Sequence, residues 1–180
     1  MIKLTLDTNA LRDLAWALGR TPERRYEGDP AKQVQVRRAF GAILAKRDLG
    51  ELELGVTTRL YADFWESRGE LPPELIGLIG VYVRIGVPTV FGFPLAFPTS
   101  FPDMKRYEVL FRDVFPDSTD GQKHYADNRR DAWQLYAHQT ARRDVFVTSD
   151  SGILAQAAIL RDKWGIRVAS PLEFDPDSQP

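Results

Sequence analysis

Short apolar runs alternate with helical stretches along nearly the whole chain, and this order restricts the fold more than any other feature. Residues 2–6 alternate in polarity and end abruptly at Asp7, the pattern of a strand. Leu11, Leu14, Ala15 and Leu18 then recur at helical spacing until Gly19. Residues 19–30, rich in charge, Gly and Pro, read as a surface excursion. A helix over 31–49, stopped by Gly50, leads to a second strand at 52–56. Thr57 or Thr58 caps a helix to about 68, and Pro72 and Pro73 open another through about Arg84. Residues 86–102 hold Pro88, Pro94, Pro98 and Pro102, so they are read as a packed irregular loop. Helical spacing returns over 103–115. Thr119 and Gln122 have the spacing of a capping box, which starts a long helix to about Arg143. A buried strand at 145–148, a helix over 151–164 stopped by Gly165, and a last strand at 166–169 follow. Ser170 and Glu173 form a second capping box, and 175–180 is a frayed tail. Strands separated by helices in this order imply an α/β fold, a parallel sheet with helices on both faces. The expectation is a single domain over 1–174, enlarged by a Phe/Pro-rich insertion at 86–118.

Composition narrows the chemistry. The 180 residues include no cysteine and two histidines, which excludes disulfide frameworks, thiolate metal sites and cysteine nucleophiles and disfavours a histidine-built zinc site. The longest strongly apolar run, residues 75–83, is too short to span a bilayer. The first residues show neither the charged leader nor the apolar core of a signal peptide, so a cytoplasmic protein without membrane contact is expected. Net charge is −1, which forecasts no general adhesion to nucleic acid. Residues 20–47 nevertheless carry eight basic against three acidic side chains. That excess reads either as a solvated helix face or as a surface for phosphates or an acidic partner.

Four acids stand out. Asp7 and Asp150 each follow an apolar strand and precede a helix, so in an open parallel sheet both lie at the carboxyl edge, where such sheets bind ligands. The plain alternative for either is helix capping. Asp131 sits inside a long helix, where aspartate has poor propensity, beside the face carrying Tyr125, Ala132, Trp133, Tyr136 and Ala137. Asp63 lies between Tyr61 and Phe64; as a bland reading, it complements its helix dipole. Carboxylates sharing a small space repel one another, and a hard divalent cation, Mg²⁺ or Mn²⁺, relieves that repulsion. Asn9 could hold a ligand or water there without adding charge. A rival site on one helix face would use His124, Asp127, Asp131 and His138.

These residues resemble the PIN-domain nucleases. Leu4-Thr-Leu-Asp7-Thr-Asn9-Ala-Leu11 is similar to that family's first strand and Asp-x-Asn turn. Residues 56–64, ending Ala62-Asp63-Phe64, resemble its second acidic segment, where the family usually carries Glu; Glu66 competes for the role. Asp131-Ala132, then Phe146-Val-Thr148-Ser-Asp150, resemble its Asp-Ala helix and Thr-x-Asp strand end, and residues 168–174 its closing strand and short helix. Residues 67–126 have no counterpart. The resemblance implies a metal-dependent ribonuclease with Asp7, Asp63, Asp131 and Asp150 as the metal-binding and catalytic quartet, supported by Asn9 and Thr148. Arg12, Arg59, Arg129 and Arg130 are the candidates for contact with the RNA backbone. Many family members are toxins of bacterial toxin–antitoxin pairs, which implies a small protein inhibitor, the antitoxin. The 86–118 insertion either covers the site or builds a homodimer surface. Two other readings stay open: a catalytically inactive PIN-like binding or scaffolding module, and a phosphatase of the haloacid dehalogenase type. The latter wants Asp where this chain has Asn9.

Overall fold

The computed structural model describes residues 1–20, 29–60, 82–85 and 101–174. Five parallel strands form one sheet: β1 (Ile2–Leu6), β2 (Leu52–Thr57), β3 (Val83–Ile85), β4 (Val145–Val147) and β5 (Val168–Ala169), in the order β3-β2-β1-β4-β5. β1 is therefore central, pairing Leu6 with Val56 on one side and with Val147 on the other. Described helices are α1 (Thr8–Ala17), α2 (Pro30–Asp48), α3 (Phe101–Val114), α4 (Tyr125–Thr140), α5 (Ser151–Ala155) and α6 (Ala157–Trp164). The architecture is α/β with helices on both faces.

Strand alternation divides the core. Leu4, Leu6, Leu54, Val56, Val145 and Val147 point to the face covered by α1 and α2, where Leu14, Phe40 and Ile43 meet them. The intervening positions face α3, α4 and α6, and Phe146 packs there among Tyr107, Leu110, Tyr136 and Leu160. Burying two faces of one short-stranded sheet is what makes the strands so apolar. His138 on α4 hydrogen-bonds Thr5 through Nδ1 at 2.8 Å, and Gln134, one turn earlier, reaches Thr8 at 3.3 Å. Rising numbers on α4 thus match falling numbers on the β1 side, so α4 runs antiparallel to the strands.

Several boundaries differ from the sequence reading. Residues 83–85 are a strand rather than the end of a helix; Val83 and Ile85 are β-branched, and they complete the β2 edge. Half of the Thr119–Gln122 box forms: Thr119 N–H donates to Gln122 Oε1 at 3.0 Å, while Gln122 N–H goes to the Thr119 carbonyl at 3.2 Å. The helix nevertheless starts only at Tyr125, because Gly121 between them takes φ +87°. It ends at Thr140, short of Arg143. The expected 151–164 helix is two pieces: Gln156 N–H reaches back only three residues to Ile153, tightening the chain between them. The last strand begins at Val168, two residues later than expected, and β2 runs one residue further, to Thr57. Ser170 and Glu173 exchange their two capping bonds at 3.2 Å, closing a turn. The rest of the helices expected around 58–68 and 72–84, the loop at 86–100, the excursion at 21–28 and the tail lie outside the described residues. No described helix is long and apolar enough to cross a membrane.

Candidate active site at the carboxyl edge of the sheet

From β1 the chain winds one way to β2 and β3, and it later returns to β4 and β5 on the other side. The loops leaving β1 and β4 therefore run in opposite directions, which opens a crevice between them at the carboxyl edge. Asp7 leaves β1 at that point. It is 3% exposed, and its Oδ1 caps α1 by accepting from Ala10 N–H at 2.6 Å. Its Oδ2 accepts from the Thr148 hydroxyl. Thr148 in turn accepts from Asp150 N–H at 2.9 Å, and Asp150 Oδ1 caps α5 through Gly152 and Ile153 N–H at 2.8 and 3.0 Å. Both acids are therefore helix caps, and the same geometry aims both at the crevice.

The electrostatics single out Asp7. Burial pushes its carboxyl up to about 7 from an ordinary 3.8. The bonds from Ala10 and Thr148 oppose that rise, and the charges of Asp150 and Asp13 add to it. Asp13 is an acid that the sequence reading passed over. It is 1% exposed on α1, where its Oδ2 accepts from the Ser149 hydroxyl. Its one sequence signal is its place on the buried side of α1, between Leu11 and Leu14. Ser149 also lines a cavity of about 330 Å³ with Lys32, Val36, Leu154, Ser170, Pro171 and Leu172. That volume lies at the lower end of small-molecule sites.

Asp131 is half-buried on α4, three residues before Gln134. Because α4 is antiparallel to β1, Asp131 stands one turn nearer the carboxyl edge than the Gln134–Thr8 contact, about 4.5 Å along the axis. Asn9 is half-buried in the first turn of α1. Asp63 and Glu66 lie outside the described residues. The one-helix alternative does not assemble: His138 is 1% exposed beneath α4 while His124 and Asp127 are surface groups. Burial, helped by the charge of Arg143, lowers His138 to about 3, so it is neutral.

The arginines separate. Arg129 is enclosed by Tyr107, Phe111 and Tyr125 at 4.8, 5.0 and 5.8 Å and paired with Glu108 at 2.7 Å. That cage of rings and carboxylate fixes the guanidinium against α3. Arg130 pairs with Asp127 at 3.1 Å on the surface. Arg12, in the middle of α1, and Arg59, in the helical turn that follows β2, are half-buried. The basic 20–47 segment is in part a solvated helix face, with Arg37 over Trp16 and Lys46 paired to Glu51.

The chain matches no known family model. No curated protein is similar to it either.

Among the described residues no three acidic or histidine side chains gather closely enough to hold a metal ion, so Asp7, Asp131 and Asp150 do not by themselves assemble into the expected site. Mg²⁺ takes one or two carboxylates and keeps several waters. Two neutral oxygens, Thr57 Oγ1 on the strand next to Asp7 and Gln134 Oε1 on α4, are buried without a hydrogen-bond partner. Unsatisfied buried oxygens are costly, and a hydrated cation would satisfy them.

Proposed function

We propose that the chain is a divalent-metal-dependent endoribonuclease of PIN-like architecture. The observation that carries this reading is Asp7: a carboxylate buried at the switch point of a parallel sheet, its proton affinity raised by burial and by two neighbouring acids. A fold keeps such a group at some cost, and the crevice is where chemistry is done in sheets of this kind. Asp7 and Asp150, with Asp131 on the facing helix, would hold Mg²⁺ or Mn²⁺. When bound, the ion supplies Lewis-acid stabilisation of the phosphate and an activated water.

The protein's own groups do the rest. The Thr148 hydroxyl fixes the orientation of Asp7 and ties it to the backbone of Asp150. The Ala10 and Ile153 N–H groups lock both carboxylates against rotation. In this reading Arg12 and Arg59 would contact the phosphate backbone, and the cavity beside Ser149 would take a flanking nucleoside. A cytoplasmic location, an antitoxin-type inhibitor and a homodimer belong to the same reading.

The deciding experiment incubates the purified chain with single-stranded and structured RNA in Mn²⁺, in Mg²⁺ and in EDTA. Cleavage should need the metal and should vanish in Asp7→Asn and Asp150→Asn variants that retain their circular dichroism. Cleavage in EDTA, or by either variant, would sink the proposal. Stoichiometric Mn²⁺ binding without cleavage of any RNA would instead favour the binding-module reading.

A further inference from the structure

Strand parity and register put a row of polar side chains on one face of the sheet. Thr5 points to α4, since His138 bonds it. Asp7, two residues on and still extended at φ −77° and ψ 177°, faces the same way. The pairing of Leu6 with Val56 and with Val147 sets Thr57 and Thr148 on either side of Asp7, about 4.8 Å away on neighbouring strands. Thr57 and Thr148 share that face, because Val56 and Val147 belong to the opposite core. α4 roofs the row, with the Gln134 amide held by Thr8 Oγ1.

Within this row Thr148 is satisfied and Thr57 is not. Thr57 is 0% exposed and Gln134 is 2% exposed, yet Thr57 Oγ1 and Gln134 Oε1 have no partner. Two orphaned oxygens, one on the strand next to Asp7 and one on the helix that covers it, are an arrangement with no benefit to the empty fold. Both atoms accept hydrogen bonds, and water ordered around a cation presents only donors to its second layer.

We propose that Thr57 Oγ1 and Gln134 Oε1 are positioning groups that accept hydrogen bonds from the water shell of a divalent cation held at Asp7. This rests on the metal-dependent reading above and extends it to two neutral residues that touch no substrate. The acids whose charges reach Asp7 are Asp150 and Asp13, and Arg143, past the end of α4, is held by Glu53 and the Leu4 carbonyl. Thr57 and Gln134 thus add donor-matching oxygens without adding negative charge.

The test measures Mn²⁺ affinity by titration calorimetry on the full chain, with Thr57→Val, Thr57→Ser, Gln134→Leu and Asp7→Asn beside the unaltered protein. Thr57→Val and Gln134→Leu should each weaken Mn²⁺ binding by about 10–100-fold, the usual effect of losing an outer-shell partner. Thr57→Ser should restore most of it. In EDTA, Thr57→Val should unfold at a higher temperature than the unaltered protein, because it removes an unsatisfied hydroxyl without changing shape. A purely structural hydroxyl would give neither the affinity loss nor that opposite sign. Affinities within twofold of the unaltered chain in both variants, with Asp7→Asn weakened, would overturn this inference alone. Should Gln134→Leu fail to fold, the isosteric Thr57→Val decides. If the unaltered chain bound no Mn²⁺, or Asp7→Asn bound it equally well, the metal reading itself would fall.

Discussion

Replacing Asp7 by Asn should make the metal-free protein more stable at neutral pH while removing its activity. The Asp7 carboxyl is raised from 3.8 to about 7 in the fold. A shift of roughly three units, at about 1.4 kcal/mol each, means that ionised Asp7 costs the fold about 4 kcal/mol above pH 7. A raised carboxyl favours the proton-bound native state, so its stabilising contribution is complete below pH 4 and gone once pH passes 7. His138 has the opposite slope. Held at about 3 against an ordinary 6.5, it contributes above pH 6.5 and loses that contribution on acidification toward 3. Each term changes by about 3 kcal/mol between pH 4 and 6.5, in opposite directions, so they nearly cancel in the unaltered chain. Asn at position 7 keeps an acceptor for Ala10 N–H and cannot ionise. The variant should gain about 2–4 kcal/mol at pH 8 and show the bare His138 slope, with stability climbing as pH rises from 4 to 6.5. Urea unfolding in EDTA at pH 4, 5, 6.5 and 8 measures both effects. A variant less stable than the parent at pH 8, or one with the parent's pH profile, would refute the reasoning.

Other outcomes follow from the same contacts. Asp150→Ala should cost about 1 kcal/mol through loss of the α5 cap, in addition to abolishing cleavage, whereas Asp150→Asn should leave thermal unfolding nearly unchanged. Arg129→Ala should lower stability by a few kcal/mol, leaving Glu108 and three rings without their cation, yet RNA affinity should not change in a filter-binding assay. Arg12→Ala and Arg59→Ala should show the reverse, weakening RNA binding and flattening its salt dependence with little effect on unfolding. Arg143→Met should destabilise by about 3–5 kcal/mol in denaturant titrations, since Glu53 and the carbonyls of Leu4 and Glu53 all lose their donor.

The layout of the fold was legible where local chemistry decides it. The strand ending at Asp7, the helix ended by Gly19 at φ +70° and the α2 stop at Gly50, φ +74°, needed no tertiary information. The shared position of Asp7 and Asp150 was readable too, because each ends an apolar strand. Partnerships were not. Asp13 is buried because Ser149, 136 residues away, meets it, and no local pattern encodes that distance. His138 and Gln134 look like a polar stripe on α4; only the placement of the helix over β1 shows that one is a core histidine bonded to Thr5 and the other reaches Thr8. Val83 and Arg84 were read as the end of a helix because their strand character depends on the edge of β2 beside them.

A Cβ at Gly55 would come within 2.8 Å of the Arg143 guanidinium carbon and equally close to the Ile85 methyl. The arginine thus occupies the volume that a side chain on β2 would take, threading the strand to the segment that follows α4. Evolutionary drift at either position is therefore not independent. A descendant of this gene that acquires alanine at 55 must shorten or reroute residue 143, and joint change at that pair offers a marker for recognising distant kin where overall similarity has faded.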